Sequence, residues 1–101
     1  MLDKKMKDLI DYYLTSRNVY GTEDALEKMV KLTNKDNYLS MIEHIEKSEA
    51  KKHELDLSMY LVEIACKEYQ DLIPIIKSKL KTYNDNDAIE DLVDALKKIN
   101  L

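Results

Sequence analysis

An all-helical fold is the class this sequence predicts, and three observations point to it. The chain has 101 residues but only one Gly and one Pro, and strands need turns that lean on both. Leu, Lys, Glu, Ile and Asp fill much of the remainder, a composition that suits helices. A short stretch also occurs twice: DALEKMV, 24–30, returns as DAIEDLV, 87–93, with four of seven positions identical. At this length one domain is expected, and 45% hydrophobic residues suffice for its core.

The repeat extends beyond those seven residues. Residues 8–33, DLIDYYLTSRNVYGTEDALEKMVKLT, align without a gap on 71–96, DLIPIIKSKLKTYNDNDAIEDLVDAL, with eight identities in 26 positions. A middle copy is read from LVEIACK, 61–67, against LVDALKK, 92–98, and from NYLSMI, 37–42, against DLIPII, 71–76. The offsets, 31 and 34, place about three extra residues in its turn, near Ser48–Lys52. Three helical hairpins of about 2–35, 36–69 and 70–101 would stack as a short α-solenoid, since none buries its apolar stripe alone. A compact six-helix bundle is the alternative packing.

The six helices are justified in order. The first, about Leu2–Ser16, has a stripe of Leu2, Met6, Leu9, Ile10 and Tyr13. The second begins after an N-cap at Thr22 and carries Leu26, Met29, Val30 and Thr33. The third begins near Asp36, with Tyr38, Leu39, Ile42 and Ile45. The fourth, about Glu54–Tyr69, has Leu55, Met59, Val62, Cys66 and Tyr69, widened by Leu57, Leu61 and Ala65. The fifth follows Asp71, with Pro74 tolerated in its first turn, where its missing N–H has no partner to lose. The sixth, about Asn86–Ile99, turns Ile89, Leu92, Val93, Leu96 and Ile99 inward. Asn34 and Asn84 take the helix-ending role usually given to Gly.

Composition narrows the function classes. Net charge is −4, and Arg17 is the sole Arg. That opposes nucleic-acid binding, where phosphate neutralisation and guanidinium recognition dominate. The lysines Lys51, Lys52, Lys77, Lys79 and Lys81 read as a solvated face. No apolar run reaches the ~20 residues of a membrane span, and the charged start, MLDKKMKDLIDYY, does not read as a signal peptide. A cytoplasmic location is the expectation. One Cys gives no disulfide framework; Cys66, on the fourth helix's stripe, is expected to be a buried structural thiol. His44 is expected on the exposed side of the third helix, His53 in or beside the long turn. Nothing resembles a nucleophile elbow, a phosphate loop or a set of metal ligands, so the chain is expected to be no enzyme and to carry no cofactor or metal.

Each unit's second helix opens with an acid (Asp24, Asp56, Asp87) and closes with a lysine (Lys35, Lys67, Lys98), which complements the helix dipole. The middle rungs differ among the units: Lys28, Tyr60 and Asp91, then Lys31, Glu63 and Asp94. If the second helices line one wall, Tyr60 sits at its centre with Glu63, Glu90, Asp91 and Asp94 around it. A solvated Tyr and a binding hot spot are both open readings.

Paired helices with a unit near 32 residues resemble HEAT-like repeats, and DLIPII, 71–76, looks like the first helix of such a unit. Small acidic helical proteins of this pattern resemble the immunity proteins of bacterial toxin systems, including contact-dependent inhibition and polymorphic toxins. The resemblance implies a cognate toxin domain as partner, often a basic nuclease, blocked at its active or substrate-binding site. The acids near Tyr60 would then stand in for phosphates. The other reading is a non-catalytic adaptor or regulatory subunit, including a phage-type inhibitor, that docks a partner helix or peptide along the same wall.

Overall fold

The computed structural model describes residues 2–49 and 53–100. Six helices and no strand occur among them: α1 Lys4–Thr15, α2 Val19–Leu32, α3 Tyr38–Glu46, α4 His53–Ile64, α5 Leu72–Thr82 and α6 Asn86–Asn100. The all-α class is therefore what the chain adopts. It divides into two compact units, Met1–His53 with α1 to α3 and Glu54–Leu101 with α4 to α6. The boundary falls inside the middle hairpin of the sequence reading, so α3 belongs to the first unit and nearly all of α4 to the second. The turn around Ser48–Lys52 lies partly, and Lys51 and Lys52 wholly, outside the described residues.

In the first unit, Asp3 caps α1 by accepting from Met6 N at 2.9 Å. The turn into α2 is tight. Ser16 N donates to Tyr12 O at 2.8 Å, and Asn18 then caps α2 by accepting from Tyr20 N and Gly21 N at 3.0 and 3.2 Å. This moves the start of α2 three residues ahead of Thr22, the cap read from sequence. The amide of Asn18 reaches two orphan N–H groups, whereas Thr22 is already inside the helix and bonds back to Asn18 O. α1 packs on α2 and on α3. Ile10, Tyr13, Leu14, Ala25, Met29, Met41 and Ile45 are buried. Leu39, expected inward, is 46% exposed; Met41 takes the core position instead.

The turn from α2 to α3 is closed by two asparagines. Asn37 Oδ1 accepts from Asn34 N at 2.8 Å, and Asn34 Oδ1 accepts from Asp36 N and Asn37 N. Neither Asn34 nor Asn84 is left-handed; no described residue has positive φ. α2 and α5 end instead on extended residues, Thr33 and Tyr83, so these asparagines do not play the part of Gly.

In the second unit, α5 packs on α6. α4 is tied to the start of α6 by Glu54, whose Oε2 accepts from Asn84 N and Asp85 N, both at 3.1 Å. Asp85 caps α6 by accepting from Ala88 N at 3.0 Å. Beside Glu54, burial and then that carboxylate's charge push the Tyr83 phenol up to about 12. α4 ends at Ile64, five residues short of the expected Tyr69. Its buried stripe is Leu57, Tyr60, Leu61 and Ile64, not Leu55, Met59, Val62 and Cys66.

The repeated hairpins show what repetition encodes. Tyr13 and Ile76, Ala25 and Ala88, and Met29 and Leu92 stand 63 residues apart, and all six are buried. Val30 and Val93, though identical, are half-buried and 38% exposed.

Candidate functional site

Of the side chains expected on the binding wall, Tyr60 departs most. It is 0% exposed. A Tyr on a mostly polar face of one helix phase is a core Tyr in the neighbouring phase, and α4 folds in the latter. The ring is therefore not available to a partner.

Glu90 and Asp94 are exposed on α6, with Asp91 half-buried between them. Ser58 Oγ on α4 lies 2.8 Å from Leu55 O and 3.3 Å from Asp91 Oδ2, so its one hydrogen serves either acceptor. Burial, and then the charges of Asp94, Glu90 and Asp87, hold the Asp91 carboxyl above its usual range despite the Ser58 contact. These three acids of the wall, with Asp87, do form one ridge. Glu63 is exposed on α4. Lys28 and Lys31 lie on α2 in the first unit, paired within that helix to Asp24 at 3.0 Å and to Glu27 at 3.4 Å.

A raised carboxyl favours the neutral form in the folded chain. Its contribution to stability grows as pH falls through its folded pKa and is lost as pH rises. Asp91→Asn is therefore expected to stabilise the chain at pH 7 by about 0.5 kcal/mol, by relieving like charges three and four residues away. Thermal melts should show that gain shrinking as the pH falls and the wild-type carboxyl takes up its proton, which it does above the usual Asp range.

Cys66 also departs from expectation. It is exposed, because α4 stops before reaching it. His44 is half-buried rather than exposed, and its Nε2 lies 2.8 Å from Asp11 Oδ1 of α1. An ionised carboxylate only accepts, so Nε2 carries the proton. Leu2, Lys7, Ser40, Glu43, His44 and Lys47 line a shallow cleft of about 290 Å³ there. Glu43 is held below the usual carboxylate range by the hydrogen bond and charge of Lys47. The lysines of α5 do not form one basic face. Lys77 and Lys81 are exposed, while Lys79 is half-buried and burial lowers its pKa.

Sequence reasoning missed a cluster at the α1–α2 turn. Tyr12, Val19 and Tyr20 are 49, 67 and 84% exposed. The Tyr12 ring lies over Gly21, the third residue of α2: a Cβ there would collide with Tyr12 Oη and come within 3.2 Å of Cζ. Gly21 does not have positive φ, so the backbone has no need of glycine. Its sole evident steric use is to seat an exposed aromatic ring. The sequence reading has no signal for the cluster: with the cap at Thr22 the single Gly falls in a turn, and only the start of α2 at Val19 puts it within a helix, where Gly costs roughly 1 kcal/mol against Ala.

Gly21→Ala tests the seating. The Tyr12 ring, free to swing into solvent, should leave its place, removing the NOE between its ring protons and residue 21 Hα. The melting temperature should hold or rise, since the added helix propensity is worth up to about 1 kcal/mol.

No family model matches this chain, and no curated protein or solved structure matches it. Among the described residues, no helix is long and apolar enough to cross a membrane and no cluster of three or more His, Cys, Asp or Glu is placed to hold a metal ion.

Proposed function

We propose that this chain is a protein-binding inhibitor of the immunity-protein kind, acting by occlusion of a cognate toxin domain rather than by catalysis. The observation that supports a binding role is the solvent-facing trio Tyr12, Val19 and Tyr20, with the Tyr12 ring seated on the only glycine. Exposed Tyr side chains bring large contact area at little entropic cost and are enriched where partners bind tightly. Arg17, in the same turn, adds a planar donor of the kind enriched at such contacts. The α6 acids and the net charge of −4 would steer a basic partner, a nuclease domain included, towards the molecule. With Tyr60 buried, the binding role moves from the wall around it to the α1–α2 turn, and the ridge keeps a steering part.

An immunity gene lies beside its toxin, so the test uses the product of the adjacent reading frame. Co-expression should relieve that product's toxicity and yield a complex of the two chains. Tyr12→Ser with Tyr20→Ser should weaken the complex by about 100-fold or more, at about 1.4 kcal/mol or more for each ring, while leaving helicity unchanged. A neighbour that is harmless and unbound would remove the inhibitor reading.

A further inference from the structure

We infer that α6 pairs with α6 of a second copy of this chain, antiparallel, along Ile89, Val93 and Leu96. This surface is separate from the α1–α2 cluster and does not rest on the reading above.

α6 carries two apolar stripes. Ala88, Leu92 and Ala95 are fully buried and form the inner one. At 3.6 residues per turn, Ile89, Val93, Leu96 and Asn100 share a second line beside it. Ile89 and Leu96 are half-buried and Val93 is 38% exposed. Val93, Leu96, Lys97 and Asn100 line an open groove of about 420 Å³.

The charges say what fits the groove. Asp87, Glu90, Asp91 and Asp94 fill the N-terminal part of α6, and Lys97 and Lys98 its last turn. Glu90 and Lys97, seven residues apart, flank the outer stripe on the same side. A partner helix must present a cation opposite Glu90 and an acid opposite Lys97. α6 itself, run in reverse, has that order. With the two-fold axis passing between Val93 and Asp94, Glu90 faces Lys97 of the other copy at both ends. Leu96 then falls between Ile89 and Val93 of that copy, and the two Val93 side chains meet at the axis. A parallel pair would instead put the two Glu90 side chains, and the two Lys97, on opposite sides of the seam with no counter-charge facing them. The antiparallel pair is self-complementary and closes after two chains. One helix against one helix is smaller than a standard interface, so the expected dissociation constant is weak, on the order of 100 µM.

Sedimentation equilibrium of the full chain in low salt, from about 10 µM to about 1 mM, reads this directly. The mass should rise from 11.9 kDa towards twice that value. Glu90→Lys and Lys97→Glu should each weaken association by about tenfold, because each sets like charges together at both ends. An equimolar mixture of the two variants should recover it, since one chain then brings a lysine and the other a glutamate to both ends of the pair. Val93→Asp should abolish dimers while the circular dichroism stays unchanged. A chain that is monomeric at every concentration overturns the proposal. So does a dimer indifferent to these substitutions, which would mean another surface pairs.

Discussion

Tyr60→Ala is expected to destabilise the chain by about 3–5 kcal/mol. Tyr60 is fully buried, with Leu57, Leu61 and Ile64 on the same helix also closed to solvent. Removing the ring leaves a cavity that the backbone of a helix cannot collapse to fill. A domain of this size has about 5–15 kcal/mol in total, so one substitution removes a large share of it. Urea unfolding followed by circular dichroism measures the loss as a fall in midpoint at constant slope. The same substitution in a binding assay would look like a lost contact. Folding must be measured beside it, because the cause is a hole in the core. An exposed Tyr would change stability by less than about 0.5 kcal/mol, which separates the two placements cleanly.

The second large effect falls on the repeat. Met29→Ala and Leu92→Ala should each cost about 2–5 kcal/mol, since both side chains are at 0% exposure at the same register of the two related hairpins. Val93→Ala, one residue along and at a position identical in both copies, should cost less than about 0.5 kcal/mol in the monomer, because Val93 is partly in solvent. If the three losses were equal, burial would not be what the repeated register preserves. The comparison needs dilute samples, below the concentration at which α6 is expected to pair.

Much of the fold was legible because local rules and packing agreed. α1 and α6 lie within two residues of their sequence-read bounds, and α5 starts directly after Asp71 as expected, since in each the apolar residues recur at helical spacing. α4 was harder for a physical reason. Leu55, Leu57, Met59, Tyr60, Leu61, Val62 and Ile64 leave two helical phases almost equally apolar, so periodicity alone does not choose the buried one. The chosen phase exposed Tyr60 and buried Cys66; the structure reverses both. Thr22 was misread as a cap because Asn18 lies three residues beyond the end of α1, and a turn so short looks like part of one loop. The division into two units was hidden for another reason. Resemblance between segments reports shared local patterning, and α3 and α4 share it without belonging to one unit.

The binding site was less legible than the fold. Glu90, Asp91 and Asp94 were placed together correctly because they share one helix, where spacing fixes proximity. Lys28 and Lys31 were joined to them only through an assumed stack of three hairpins. Tyr12 and Tyr20 went unnoticed as a pair because they lie on different helices, joined by a turn whose geometry depends on the Asn18 cap. Gly21 did not point to them either, because with the cap read at Thr22 it fell in a turn, an ordinary place for Gly.

The measurement that bears most directly on the α1–α2 cluster is calorimetric titration of the adjacent reading frame's product with two forms of this chain, wild type and Tyr12→Ser/Tyr20→Ser, each checked by thermal melting. The expected result is matched melting with affinity reduced about 100-fold or more. Equal affinities for two equally folded chains would contradict the assignment of binding to those two rings.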